Sequence, residues 1–187
     1  SEKFDTPVLY RLTTRLCHSK GIVECEERKE VGIKEYVKNA NKYVTVPAVS
    51  KVLRRKVEER LYNLKKFSNE TDLKYIELNK TKIGVIASGM CINFAKEVFG
   101  EDASYLKLGF TFPMPDEKIK EFATKVGKIY IIEENDEFIE EYVKSLGVEC
   151  HGKDAFPAYG EMTPDVVRKS VYAKTSYKHT TMRAIRK

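Results

Sequence analysis

Three groups of residues have the types and spacing to do chemistry. Glu133-Glu134-Asn135-Asp136 follows the apolar run Lys128–Ile132. Paired carboxylates there can do acid–base work or hold a metal, and the carboxyl end of a parallel strand is where α/β folds build sites. In a plainer reading, Asn135 and Asp136 cap the next helix and the glutamates face water. Ser88-Gly89 stands where the run Ile83–Ala87 hands over to helical periodicity. A helix start of that kind offers free N–H groups to a phosphate or carboxylate. The local sequence SGMCIN has neither GxGxxG nor GKS/GKT, so a tight turn is the competing reading. Arg11, Arg15 and His18 could hold an acidic substrate or face a cofactor, against the alternative of a salt-bridged surface loop.

The four cysteines, Cys17, Cys25, Cys91 and Cys150, form no CxxC pair, and the adjacent pairs Cys17-His18 and Cys150-His151 have no finger-like spacing. In a strand, neighbouring side chains point to opposite faces. No metal site is therefore assigned, and no residue is assigned as catalytic. A nucleophilic Cys with a His base stays open, drawing on only three histidines. Of these, His179 in the polar tail is the weakest candidate.

The elements that must position these groups follow from patterning. Pro7–Thr14 has the β-branched and aromatic content of a strand, with a polar loop after it. Residues 24 to 42 are charge-dense and irregular. From Ala48 to about Phe67, Val49, Val52, Leu53, Val57, Leu61 and Leu64 fall at three- and four-residue steps, which predicts a long amphipathic helix. Its other face carries Lys51, Arg54, Arg55, Lys56, Arg60, Lys65 and Lys66, a solvated face or a contact with another domain or subunit. After Ile83–Ala87, strands are predicted at Tyr105–Phe110, Lys128–Ile132 and Val148–Cys150. The helices between them bury Ile92, Phe94, Ala95, Val98 and Phe99, then Ile119, Phe122, Ala123 and Val126, then Phe138, Ile139, Tyr142, Val143 and Leu146. Gly100, Gly127 and Gly147 are read as left-handed helix caps, and Pro113 as the start of the second of these helices. Thr163-Pro164 opens a last helix. The alternation implies right-handed crossovers and a three-layer α/β/α fold with a mostly parallel sheet, preceded by a strand and a long amphipathic helix.

A chain of 187 residues with 42% hydrophobic and 33% charged residues fits a soluble globular protein with one core, or one core and an extension. No apolar run reaches the roughly 18 residues needed to span a bilayer, and no signal-peptide pattern is present. With no disulfide-scaffold density, a reducing cytoplasm is the expected location and a membrane is not a partner. The net charge of +6 arises from interspersed charges, 34 basic against 28 acidic. Nucleic acid is accordingly a minor candidate. The first residue is Ser, and the first predicted strand lacks a sheet partner in the following sixty residues. Both suggest a segment of a longer protein.

Five blocks in order carry a family resemblance. VLYRLTTRLCHSKGIVE resembles the LRTTTRxSHSxGxVE segment of indolepyruvate:ferredoxin oxidoreductase alpha subunits, which belong to the thiamine-diphosphate-dependent 2-oxoacid:ferredoxin oxidoreductases. The likeness continues in KIGVIASGMCINFAKEVF, LKLGFTFPMPDEKIKEFA, IYIIEENDEFIEEYV and HGKDAFPAYGEMTPDVV. It is weakest between Glu26 and Val44.

The resemblance implies an internal fragment. Residues 1–21 would end a pyrimidine-binding domain, 22–80 would be a linker with the long helix, 81–172 a transketolase-C-terminal-like α/β domain, and 173–187 a polar basic tail. The whole enzyme would decarboxylate an aryl-2-oxoacid, indolepyruvate, on thiamine diphosphate with magnesium, form acyl-CoA, and pass electrons through iron–sulfur clusters to ferredoxin. The fragment would bind none of these cofactors and be inactive alone. Its partners would be the remaining domains of the alpha subunit, with Arg54 and Arg55 at one such contact, the beta subunit, and, in the full enzyme, ferredoxin and coenzyme A. A homodimer is a further option. Arg15 and His18 match the family's R-x-S-H positions, with Cys17 where Ser is usual, and become neighbours of the active site rather than catalysts. The same role in an enzyme for pyruvate or another 2-oxoacid is one alternative. A stand-alone basic α/β module for nucleic acid or an anionic ligand is the other.

Overall fold

The computed structural model describes residues 1–33, 35–79 and 82–173. The expected basic tail at 173–187 therefore lies, beyond Ala173, outside the described residues. Residues 1–60 and the residues from Leu61 onward form two compact units.

In the first unit Thr14–Cys17 forms a single-turn helix (α1) and Ala40–Tyr43 another (α2). Thr13 and Asn39 cap them through side chains that accept the backbone N–H of Leu16 and Lys42. The strand expected over Pro7–Thr14 does not form. A strand is stable only where a neighbour takes up its N–H and C=O groups, and Val8, Leu9 and Tyr10 are exposed with no strand beside them. No described residue of this unit is buried. The predicted long helix does form, as α3 over Pro47–Glu70. An Arg54–Glu58 ion pair one turn apart tempers its basic face.

The second unit takes in the last turns of α3 and a four-stranded sheet. Its strands are β1 (Tyr75–Glu77), β2 (Ile83–Ser88), β3 (Ser104–Leu108) and β4 (Lys128–Ile132), in the spatial order β1-β3-β2-β4. β2 pairs in parallel with both β3 and β4, while β1 runs antiparallel to β3. The continuous apolar run of β2 places Val85, Ile86 and Ala87 at full burial, because both faces of a central parallel strand are covered.

Two helices cover each face. On one, α4 (Cys91–Phe99) and α7 (Pro164–Tyr172) pack Ile92, Ala95, Phe99 and Val167 against Val85, Ala87, Tyr105 and Tyr130. On the other, α5 (Asp116–Ala123) and α6 (Phe138–Ser145) pack Ile119, Phe122, Ile139 and Val143 against Ile86, Leu106 and Ile131. Each Val, Leu, Ile or Phe among them, fully buried, contributes about 1.5–3 kcal/mol. The three-layer α/β/α architecture is as expected.

Four details differ from the sequence reading, one of them Phe138, expected on the buried face of α6 but 56% exposed at its head. The strand expected at Val148–Cys150 is reduced to one parallel bridge, Tyr130 with His151. Gly127 caps no helix: its N–H donates to the Lys82 carbonyl at 2.7 Å as the chain enters β4, whereas Gly100 and Gly147 do take positive φ. Pro113 does not open α5, which begins only at Asp116 after Pro115.

Candidate functional site

The connection after β2 runs through α4 toward β3, and the one after β4 runs through α6 to the bridge at His151 on the far side. The chain therefore departs in opposite directions from two adjacent parallel strands, and a crevice opens outside their carboxyl ends. Ser88-Gly89 and Glu133-Glu134 line it from the two sides. The structure thus brings together two motifs that lie 45 residues apart in sequence.

On the β2 side, Ser88 ends the strand, Gly89 turns with φ 55°, and α4 starts without a side-chain cap. Cys91, its first residue, is buried, and its thiol is pushed up to about 12 by that burial and by the Glu134 charge, against the pull of Lys153. It is a packed thiol and not a nucleophile.

On the β4 side, Glu133 is buried. Its two carboxylate oxygens accept the backbone N–H of Ile139 (2.7 Å) and Glu140 (3.0 Å) at the head of α6. Burial raises its pKa, and the two N–H groups and Lys153 oppose the rise. Neither earlier reading of this tetrapeptide holds in full: Glu133, not Asn135 or Asp136, satisfies the free N–H groups of the helix, and it does so away from water. Asn135 takes the left-handed conformation that turns the loop.

Two residues that carried no chemistry in the sequence complete the cluster. Lys153 is buried, and its ammonium donates to the Glu133 carbonyl at 2.6 Å, while its backbone N–H donates to Glu140 Oε2 at 2.7 Å. Burial holds its pKa below the ordinary lysine value, against Glu133 and Glu140. Glu140 also pairs with Lys144 at 2.6 Å. The one signal in the sequence was Gly152: a Cβ there would overlap the Glu140 carboxylate.

Beyond the crevice, Asp154 accepts from Gly152 N–H and pairs with His151 Nδ1, both at 2.7 Å. Burial pushes the Asp154 carboxyl up, but His151 and the Gly152 N–H outweigh it and leave the pKa below the usual carboxylate value. Arg11, Arg15 and His18 lie exposed in the first unit. His18 closes α1 by donating its N–H to the Thr14 carbonyl at 3.0 Å.

Among the described residues no three of His, Cys, Asp and Glu gather to hold a metal ion. The Glu133 carboxylate serves two backbone N–H groups and the Lys153 ammonium a carbonyl, so these two groups are turned toward the fold, while Glu134 is half-buried. Among the described residues no helix is long and apolar enough to cross a membrane.

No family model matches the chain. It is similar to the indolepyruvate oxidoreductase subunit IorA of Methanothermobacter marburgensis, with 34% identity over 95% of this chain and 31% of that protein. The IorA subunit of Archaeoglobus fulgidus is 30% identical over 82% of this chain and 26% of its own length. That of Pyrococcus abyssi is 32% identical over 87% and 28%. Among solved structures, the 2-oxoglutarate:ferredoxin oxidoreductase from Magnetococcus marinus, with 2-oxoglutarate, coenzyme A and succinyl-CoA bound, superposes with a TM-score of 0.52. That match has 16% identity and covers 69% of this chain and 24% of the other. The chain thus spans about a third of the length of the curated relatives it matches.

Proposed function

This chain belongs with the IorA subunits of indolepyruvate oxidoreductase, matching about a third of their length, and from that premise we propose that it is a non-catalytic α/β domain of a 2-oxoacid:ferredoxin oxidoreductase. The enzyme as a whole oxidatively decarboxylates aryl-2-oxoacids such as indolepyruvate to acyl-CoA, with ferredoxin as electron acceptor. The observation that carries this reading is identity running over 95% of the chain with an IorA subunit. The inward-turned ionisable groups at the crevice support the non-catalytic part of it.

In this reading residues 1–21 belong to the end of a pyrimidine-binding domain, 22–80 to a linker, and 81–172 to a transketolase-C-terminal-like domain. Thiamine diphosphate, held elsewhere in the enzyme, supplies the electron sink for decarboxylation, and the magnesium and iron–sulfur clusters also lie outside this chain. What the chain contributes is shape. Glu133, Glu140 and Lys153 fix the loops after β4 and before α7, and the buried faces of β2 hold the four covering helices in place. The other domains of the same subunit and a beta subunit are the partners it positions, and Arg11, Arg15 and His18 border the active site.

The test replaces the matching stretch of M. marburgensis IorA with this chain and follows indolepyruvate- and coenzyme-A-dependent ferredoxin reduction. Retained activity is expected, and a folded but inactive chimera would overturn the assignment. Calorimetry of the 187-residue chain with thiamine diphosphate and magnesium should give no binding heat, and micromolar affinity would sink the non-catalytic role. The fold likeness to an enzyme of 2-oxoglutarate favours a second reading, the same role with another 2-oxoacid. Assay of the parent enzyme on indolepyruvate, pyruvate and 2-oxoglutarate decides between them.

A further inference from the structure

Among the described residues of the second unit, five large apolar side chains other than tyrosines stand exposed: Leu73 (60%), Leu78 (48%), Met90 (45%), Phe112 (69%) and Phe138 (56%). Four of the five fall on one edge of the sheet. Met90 follows β2, Phe112 follows β3 and Phe138 follows β4, each in or just beyond the loop that leaves the carboxyl end of a parallel strand. Leu73 precedes β1, and because β1 is antiparallel its amino end lies at the same edge. A Cβ on Gly109, the residue after β3, would come within 2.7 Å of the Leu73 backbone, which fixes that placement directly. Only Leu78, after β1, lies at the opposite edge.

In the order β1-β3-β2-β4 this puts one exposed apolar side chain at the end of every strand. Three inter-strand spacings make a row about 15 Å long. The loops 89–90, 109–115 and 133–137 contain no Lys or Arg, Glu134, Asp136 and Glu137 stand at the Phe138 end, and Asp72 and Lys74 flank Leu73 at the other. A row of this length and composition has the character of the apolar core of a protein interface, with a rim that is acidic at the Phe138 end.

We propose that this carboxyl-end row is a docking surface, and that its occupant is the part of an IorA-type subunit that this chain does not contain. The relatives' length argues for that occupant: the chain covers 31% of the M. marburgensis protein, so more than twice its own length of polypeptide in that subunit lies outside the matched stretch. The proposal rests on the functional reading above. It specifies a segment with apolar side chains and with basic ones at the Phe138 end.

Hydrogen–deuterium exchange tests it, comparing the 187-residue chain with M. marburgensis IorA carrying this chain in its matching stretch. The amides of 89–90, 109–112, 114 and 133–137 should exchange about tenfold or more slowly in the complete subunit than in the isolated chain. Phe112→Ser with Phe138→Ser should abolish that slowing while leaving the melting temperature of the isolated chain unchanged. Leu78→Ser at the opposite edge should leave the slowing intact. Equal exchange in both contexts overturns the proposal. So does protection that appears in the isolated chain as its concentration rises, because a second copy would then be the occupant. Protected loops in a chimera that reduces no ferredoxin would sink the enzymatic reading and leave the docking surface standing.

Discussion

At Gly152 a hydrogen atom stands where any side chain would meet the Glu140 carboxylate. Gly152→Ala should therefore lower the unfolding free energy by about 2–4 kcal/mol, because it overpacks the site and disturbs a buried charge cluster. An unchanged urea midpoint would refute this. Glu133 makes a second prediction. Its pKa is raised in the fold, chiefly by burial. Its contribution is thus fully present below the ordinary glutamate value near 4.5 and is lost as pH rises through the raised folded value. Wild type should lose stability relative to Glu133→Gln as pH rises above 4.5, as followed by urea unfolding across a pH series. A difference that is flat with pH would contradict it. The thiols divide likewise. Burial pushes Cys91 up to about 12 and Cys150 to about 11, while Cys17 and Cys25 are exposed. A disulfide reagent at pH 8 should titrate two thiols in the native protein and four after denaturation.

The helices and strands show what could be read from sequence and what could not. Residues Lys128–Ile132, the long helix read from Ala48 to about Phe67, and the Thr163-Pro164 start were all legible, because apolar periodicity and cap chemistry are local signals. The Thr163 hydroxyl accepts the Val166 N–H at 3.3 Å. Thr163→Ala should cost about 1 kcal/mol in an unfolding titration, and no loss would show that the cap is idle. The antiparallel sense of β1 and the strand order were not legible, since pairing partners are set by tertiary contacts. Asn79 is tied to the start of β3 by its side-chain amide, 2.6 Å from the Ala103 carbonyl, and by its backbone N–H, 3.0 Å from the Ser104 hydroxyl. The crevice was half legible. Ser88, Gly89, Glu133 and Glu134 were singled out from their place after strands, but that Glu133 turns inward to the N–H groups of Ile139 and Glu140, with Lys153 on its carbonyl, is set by how the loop folds and by a residue twenty positions away. The strand expected over Pro7–Thr14 shows the opposite failure: local content favoured it and no neighbour was there to pair.

For the molecule as a whole, the two units differ in what holds them. The second has apolar clusters on both sides of its sheet, while no described residue of the first is buried. Brief trypsin digestion of the chain should therefore cut first among Arg11, Arg15, Arg28 and Lys29 and leave a product that begins within or before α3. Survival of residues 1–46 as one piece beyond the loss of the sheet domain would overturn that order.

The flanks of the sheet bear on how the molecule can self-associate. β1 is only three residues long. Along the outer side of β4, the Ile131 N–H donates to the His151 carbonyl and the His151 N–H donates to the Ile129 carbonyl. A long row of unpaired peptide groups is what lets one sheet recruit a strand from another chain and grow toward aggregate. Among the described residues neither flank presents one, so strand recruitment of that kind finds no long template there.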